Sequence, residues 1–219
     1  MVKYVLHYFK ANVRAESIRL AFKLGGVDFE EVNFEMSEWP KLKPKYPTRQ
    51  VPVLEVDGKM IGQTKAILRY LAKEFGLYGK TPLEAAYIDQ AMDTVEDIWP
   101  EFENIFRVPF ASQAAKAVTF LKDKVPPVYE ALERLLDLEQ AGDFFVGNSI
   151  TAADIFFFGA VDVVNATAKA WAKGANSLEK YPKLTALMSR IAANPKIAAW
   201  LAVQPAEVSF ELNQEYILE

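Results

Sequence analysis

Hydrophobic and polar positions follow two different periods along the chain, a strand period near the amino terminus and a helical period elsewhere. Residues 2–9 and 29–34 alternate as β-strands do, whereas the apolar residues of 15–24 recur at helical spacing. A strand, a helix and a second strand in this order predict a parallel βαβ unit, because a right-handed crossover usually joins parallel strands.

Residues 51–61 predict a β-hairpin, and residues 66–75 predict the helix that follows it. Asp57 and Gly58 supply a tight turn between two runs of β-forming residues, and Gly76 supplies a stop for the helix. Pro52 cannot donate to a sheet ladder, so it marks an edge or a turn. These elements complete an α/β unit over residues 1–76.

The chain beyond residue 80 predicts helices only. Residues 88–105 have one apolar helical face, and Pro100 predicts a bend in that long helix. Further helices are predicted over 114–138, 183–193 and 195–201. Thr151 and Asp154 form a capping box ahead of a fully apolar helix. The predicted organisation is an α/β domain (1–76), a linker (77–80), an all-α domain (81–205) and a carboxyl-terminal tail (206–219).

Composition narrows the chemistry that the protein can perform. The 219 residues carry a net charge of −4, include no cysteine and include a single histidine, His7. Disulfides, thiolate metal sites and a cysteine nucleophile are therefore excluded, and we expect no metal site. The acidic balance argues against nucleic acid and anionic membranes as partners, and we expect a cytoplasmic protein because neither a signal pattern nor a long apolar run is present.

Six ordered motifs resemble those of one enzyme family over roughly residues 3–206. They are YVLHYF, RAESIRLAF, EWPKLKP, QVPVLEVDG, QTKAILRYLAKEFGLYG and NSITAAD. The chain resembles the cytosolic glutathione transferases, most closely the sigma class, which includes the glutathione-dependent prostaglandin D synthases. This resemblance implies an α/β thioredoxin-like domain followed by an all-α domain, with glutathione as cosubstrate.

By this resemblance, Tyr8 is the catalytic tyrosine and Arg14 assists it. A phenol with an ordinary pKa near about 10 is protonated at neutral pH and can donate a hydrogen bond to sulfur. Such a bond favours a thiolate over a thiol. Arg14 is expected to strengthen this donation or to orient the second substrate.

The resemblance also assigns residues that bind glutathione at its glycyl and cysteinyl parts. Trp39 and Lys43 match the pair that contacts the glycyl end, where the lysine offers a positive charge to the carboxylate. Gln50 and Val51 match the segment that binds the cysteinyl backbone. Pro52 matches the family's cis-proline.

The γ-glutamyl part is expected to bind Gln63, Thr64 and Asp97. Gln63 and Thr64 precede a helix whose first backbone N–H groups lack helical partners, which favours a carboxylate there. Asp97 matches an acidic residue that reaches the γ-glutamyl amine across a dimer interface. The resemblance therefore implies a homodimer in which Asp97 acts in trans.

The resemblance also implies a pocket for a small apolar electrophile between Tyr8 and the bent helix. Its expected lining residues are Phe9, Arg14, Trp99, Phe106, Phe156, Ala160 and, from the tail, Val208.

Four positions depart from the family pattern. Val13 follows Asn12 where Arg-Gly is usual, and we expect that valine cannot adopt the glycine conformation there. Arg49 replaces a usual glycine, and Thr64 replaces a usual serine while keeping the hydroxyl.

The sequence leaves three functions open. The first is conjugation of glutathione to apolar electrophiles, and the second is a glutathione-dependent, prostaglandin-type isomerisation. The third is a non-enzymatic role as a carrier or crystallin-like protein.

Overall fold

A computed structural model describes residues 2–138, 140–174 and 176–204 of the 219-residue chain. Val208 and the predicted tail over 206–219 lie outside the described residues. Within the described ranges, none of the helices combines the length and the apolarity that crossing a membrane requires.

The amino-terminal half is a four-stranded sheet with helices packed on it. Strand β1 pairs in parallel with β2 and antiparallel with β3, and β4 completes the sheet order β2-β1-β3-β4. This topology confirms the predicted βαβ unit and hairpin. The elements are β1 (Tyr4–Phe9), α1 (Glu16–Gly25), β2 (Glu30–Phe34), α2 (Trp39–Leu42), β3 (Val53–Val56), β4 (Lys59–Gly62) and α3 (Thr64–Phe75).

Local turn chemistry places these elements as the sequence predicts. Asp57 and Gly58 have φ angles of 47° and 82°, which are the positive values that a tight hairpin turn requires. Gly76 ends α3 in a left-handed conformation with φ 72°. The peptide bond between Val51 and Pro52 is cis.

The second half consists of helices, with one short segment of π-helix among them. Asp97 separates the first two helices, so the chain bends there and Pro100 lies in the first turn of the second. The predicted bend is therefore present three residues earlier than expected. The helices are α4 (Pro82–Glu96), α5 (Ile98–Phe106), α6 (Phe110–Thr119), α7 (Val125–Leu135), α8 (Ala152–Trp171), α9 (Pro182–Ala192) and α10 (Pro195–Leu201).

The helix predicted over 114–138 is present, since residues 110–135 are helical without a break. A π-helical segment over Phe120–Lys124 joins α6 to α7, and Pro126 and Pro127 lie in the first turn of α7. Proline cannot donate a helical hydrogen bond, and the hydrogen-bond pattern shifts directly before the two prolines, where the Val125 N–H bonds the Phe120 carbonyl. The helix therefore continues through Pro126 and Pro127, as expected.

Helix α8 is the centre of the core. It packs against α4 in the helical half and against α1 in the sheet half. The capping box is confirmed, since the Asp154 carboxylate accepts hydrogen bonds from the backbone N–H and the hydroxyl of Thr151, both at 2.7 Å. It also accepts from the Phe145 N–H at 3.1 Å, so Asp154 has the predicted structural role.

Candidate active site

Tyr8 lies near the end of β1, on the sheet face that packs against α1 and the helical half. Its side chain is only 5 % exposed, and its hydroxyl oxygen accepts a hydrogen bond from the backbone N–H of Arg14 at 3.3 Å. Burial raises the pKa of Tyr8 to about 12; the Arg14 N–H and the Arg14 charge lower it in part, while the Glu103 carboxylate raises it. The phenol is therefore protonated throughout the neutral range, and its proton is available to a ligand atom.

The loop between Tyr8 and α1 corrects one expectation. Val13 has a φ angle of 32°, a positive value that β-branched residues rarely adopt. The expectation that valine cannot adopt a glycine conformation here is wrong. The reason is that the surrounding packing fixes the loop: Val13 contacts the core, and the Glu16 N–H bonds the Asn12 carbonyl at 3.1 Å.

The Arg14 guanidinium faces the helical half rather than the Tyr8 hydroxyl. Its Nε donates to Oε1 of Glu103 at 2.8 Å, and its Nη1 donates to Oε1 of Glu96 at 3.1 Å. The guanidinium carbon lies 4.7 Å from the centroid of the Trp99 ring. Arg14 thus contributes its backbone to Tyr8 and its side chain to a contact with α4 and α5.

The residues expected at the glycyl end of glutathione lie beyond the opposite face of the sheet. Trp39 is half-buried and stacks on Phe34 with a centroid separation of 5.7 Å, and it meets the edge of Phe9 at 5.5 Å. Lys43 is exposed one turn later. Aromatic packing therefore fixes the indole, while the lysine ammonium remains in solvent.

The residues expected at the cysteinyl and γ-glutamyl parts come together around the cis peptide bond. The Gln63 side-chain amide donates to the Gln50 side-chain oxygen at 3.1 Å, which joins the two predicted segments. Gln63 has φ 73° and ψ 113°, an unusual conformation immediately before α3. Thr64, the first residue of α3, is only 5 % exposed. Arg49, like Val13, keeps a glycine-like conformation, with φ 51°.

Asp97 lies on the surface at the junction of α4 and α5, and its side chain is exposed. An exposed acid at this bend is open to a ligand or to a second chain. The proposed contact in trans concerns a second subunit, and it stays a prediction.

The expected electrophile pocket is only partly present. Phe9 and Phe106 are half-buried, but Trp99 is 1 % exposed, and Phe156 and Ala160 have no exposed surface. The assignment of Phe156 and Ala160 to the pocket lining is therefore wrong, because α8 is the central core helix and both side chains are enclosed by its neighbours. Val208 lies outside the described residues.

The two carboxylates that hold Arg14 were not among the site residues predicted from the sequence. Glu96 and Glu103 are seven residues apart, which places them two helical turns apart on the same side of the α4–α5 segment. That spacing was the signal available in the sequence. It could not be linked to Arg14 without knowing how α4 and α5 pack against the loop after β1.

His7 has the structural position that the sequence predicted. It lies in β1, on the face opposite Tyr8, because successive strand residues point to opposite sides. Its Nε2 is 3.3 Å from a Glu55 carboxylate oxygen, and its Nδ1 is 3.3 Å from the Tyr46 hydroxyl. These partners fix the ring on the sheet face opposite the Tyr8 hydroxyl.

Two family profiles match the chain. The profile described as "Glutathione S-transferase, N-terminal domain" matches residues 4–73, and "Glutathione S-transferase, C-terminal domain" matches residues 97–204. Together they cover both halves of the fold.

Individual relatives match over nearly the whole chain. The hematopoietic prostaglandin D synthase of Gallus gallus is 39% identical over 208 residues, which are 94% of this chain and 98% of that protein. S-crystallin SL11 of Nototodarus sloanii is 31% identical over 92% of this chain and 96% of that protein. The solved structure described as monomeric Na-GST-3 of Necator americanus aligns with a TM-score of 0.80 at 31% identity, covering 95% of this chain and 100% of that one.

Proposed function

The chain belongs to the glutathione S-transferase family and conjugates glutathione, and we propose that Tyr8 stabilises the glutathione thiolate. The observation that carries this proposal is the buried Tyr8 hydroxyl, whose oxygen accepts the Arg14 N–H and whose proton is free to be donated. A thiol with an ordinary pKa of about 8.5 is only a few per cent ionised at neutral pH. A hydrogen bond donated to sulfur lowers that pKa and raises the fraction of nucleophile.

In the proposed reaction the thiolate attacks an electrophilic carbon of the second substrate. The new carbon–sulfur bond takes its electron pair from sulfur, and the leaving group departs with the electron pair of the bond that breaks. The thiol proton passes to solvent before attack, so Tyr8 remains protonated throughout. Tyr8 therefore acts as a hydrogen-bond donor and not as a general base.

Recognition of glutathione is proposed to rest on charge and on backbone donors. The tripeptide carries two carboxylates and one ammonium group at neutral pH. Lys43 offers a cation to the glycyl carboxylate, and the amino-terminal end of α3 at Thr64 offers N–H groups to the γ-glutamyl carboxylate. Asp97 offers the anion that the ammonium group requires.

We propose that Asp97 supplies this anion from the second subunit of a homodimer. Its exposed position at the α4–α5 bend supports a contact outside its own chain. A relative described as monomeric shows that one member of the family is found without a partner. Sedimentation at micromolar concentration, with and without glutathione, tests the homodimer directly.

A second candidate reaction is a glutathione-dependent isomerisation of a prostaglandin endoperoxide. The observation that favours it is the 39% identity to the hematopoietic prostaglandin D synthase of Gallus gallus. In that reaction the thiolate would attack a peroxide oxygen and be released after rearrangement. Formation of a prostaglandin D product from the endoperoxide, in a glutathione-dependent manner, would support it.

Calorimetric titration with glutathione, followed by turnover of chlorodinitrobenzene in the same sample, tests the conjugation mechanism. Binding together with release of chloride is the expected result. Binding without turnover would favour the isomerase, or a carrier role of the kind suggested by the similarity to an S-crystallin. Absence of binding would contradict the assigned glutathione site.

A further inference from the structure

We propose that Glu103, together with Glu96, occupies the Arg14 guanidinium and so makes the active site select uncharged electrophiles over carboxylate-bearing ones. This inference rests on the proposed conjugation of glutathione at Tyr8, and it adds the charge class of the second substrate. Glu103 is thus a specificity-determining residue.

The geometry leaves little of the guanidinium available. Nε and Nη2 of Arg14 both lie 2.8 Å from Oε1 of Glu103, and Nη1 lies 3.1 Å from Oε1 of Glu96. All three guanidinium nitrogens therefore face a carboxylate. One face of the group lies over the Trp99 ring at 4.7 Å, and the Arg14 side chain is 18% exposed.

The local charge balance has the same consequence. Two carboxylates surround the guanidinium of Arg14, the residue whose backbone N–H contacts Tyr8. Arg107 lies 3.4 Å from the other oxygen of Glu103, but its side chain is 66% exposed. Solvent therefore screens its attraction to the Glu103 carboxylate. A thiolate at Tyr8 adds a further negative charge to this surface.

A carboxylate on the second substrate would therefore enter a site that already holds three anionic groups. Arg14 could bind it bidentately only by giving up its bonds to Glu103. An uncharged electrophile meets neither obstacle. Selection by charge thus follows from the partners of Arg14 and does not depend on the shape of the pocket.

The test compares two electrophiles that differ by one ring carboxylate, chlorodinitrobenzene and chlorodinitrobenzoate. Each kcat/KM is divided by the rate constant of the same compound with glutathione in buffer, which removes differences in intrinsic reactivity. Both compounds use the same thiolate, so their ratio is insensitive to a general change in thiol pKa or in protein stability.

The variant Glu103→Gln keeps the shape of the side chain and removes its charge. We expect it to raise the benzoate-to-benzene ratio about tenfold, because one repulsion is removed and Arg14 becomes available for a charge-assisted hydrogen bond. Glu101→Gln is the matched control. It makes the same change two residues earlier on α5, where Glu101 contacts Lys124 at 3.5 Å, and we expect it to leave the ratio unchanged.

A second measurement uses the unmodified protein, so it does not depend on folding of a variant. Added salt should raise kcat/KM for the benzoate and leave that for chlorodinitrobenzene nearly constant, because salt screens repulsion between exposed charges. Turnover of both compounds with a ratio that neither Glu103→Gln nor salt changes would overturn the inference alone. Turnover of neither compound would overturn the proposed function and the inference together.

Discussion

The backbone N–H of Arg14 donates to the hydroxyl oxygen of Tyr8 across 3.3 Å, while the Arg14 side chain turns away to the carboxylates of α4 and α5. This division gives one residue two functions. The main chain orients the phenol so that its proton is left for a ligand. The side chain joins the loop after β1 to the helical half and sets the charge beside the proposed thiolate position.

Replacing Tyr8 with phenylalanine should raise the pKa of the bound glutathione thiol, because the thiolate loses its hydrogen-bond donor. We expect kcat/KM for chlorodinitrobenzene at about pH 7 to fall by roughly 10- to 100-fold, the effect of a one- to two-unit change in thiol pKa. The deficit should shrink as pH rises and the thiol ionises unaided. Ultraviolet titration of the bound thiolate measures the thiol pKa, and pH–rate profiles measure the loss of kcat/KM.

Tyr4→Phe is the control for this change. Tyr4 is also a buried tyrosine of β1, and it lies four residues before Tyr8, so its side chain points to the same face of the sheet. It should leave the thiol pKa unchanged. In the wild-type protein Tyr8 itself, with its pKa raised to about 12, should contribute no inflection to the profile below about pH 10. An unchanged profile in Tyr8→Phe would remove Tyr8 from the mechanism.

Replacing Thr64 with valine should weaken glutathione binding with little effect on the thiol pKa. The hydroxyl lies at the first residue of α3, where the γ-glutamyl carboxylate is proposed to bind. Loss of one hydrogen bond to a charged group, about 1.5–3 kcal/mol, should raise the dissociation constant by roughly 10- to 100-fold. Thr64→Ser, which keeps the hydroxyl, should bind nearly as well as the wild type in calorimetry; equal loss in both variants would assign Thr64 to packing.

Replacing Asp97 with asparagine should raise KM for glutathione about tenfold and leave kcat nearly unchanged, because the γ-glutamyl ammonium lies far from the reacting sulfur. If Asp97 acts in trans, a mixed dimer of Asp97→Asn and Tyr8→Phe subunits should contain one site that has lost both groups and one intact site. At glutathione concentrations well below KM, such a dimer should retain about half of the wild-type activity. Activity far below half would indicate that Asp97 acts within its own chain.

The sequence was informative wherever a local rule determined the structure. Asp57-Gly58 and Gly76 predicted their turns because each supplies a positive φ angle, and Thr151 with Asp154 predicted the start of α8. These features depend on neighbours within a few residues. The parallel βαβ unit and the hairpin followed from the order of the elements, whereas the antiparallel pairing of β1 with β3 was not predicted.

The sequence was less informative wherever the outcome depended on distant packing. Phe156 was assigned to the pocket by the family resemblance, but its burial depends on α8 being enclosed by elements far away in the chain. The expected conformation of Val13 came from the intrinsic backbone preference of valine, and the contacts around the loop override that preference. The Arg14–Glu103 contact spans 89 residues, and no local pattern indicates it.

Replacing Asp162 with asparagine should stabilise the protein at neutral pH and not at about pH 4. Burial, together with the nearby Glu16 charge, raises the pKa of Asp162 from 3.8 to about 6. Between these two values the unfolded chain loses the Asp162 proton and the native state keeps it, so the wild-type free energy of unfolding falls as pH rises. Asparagine cannot ionise, and the difference in free energy of unfolding between variant and wild type should therefore grow by about 2 kcal/mol from about pH 4 to about pH 7.

Urea unfolding at both pH values measures this difference, with Asp28→Asn at an exposed loop position as the control that should show no such growth. A difference that stays constant with pH would mean that Asp162 is ionised in the native state at its ordinary pKa.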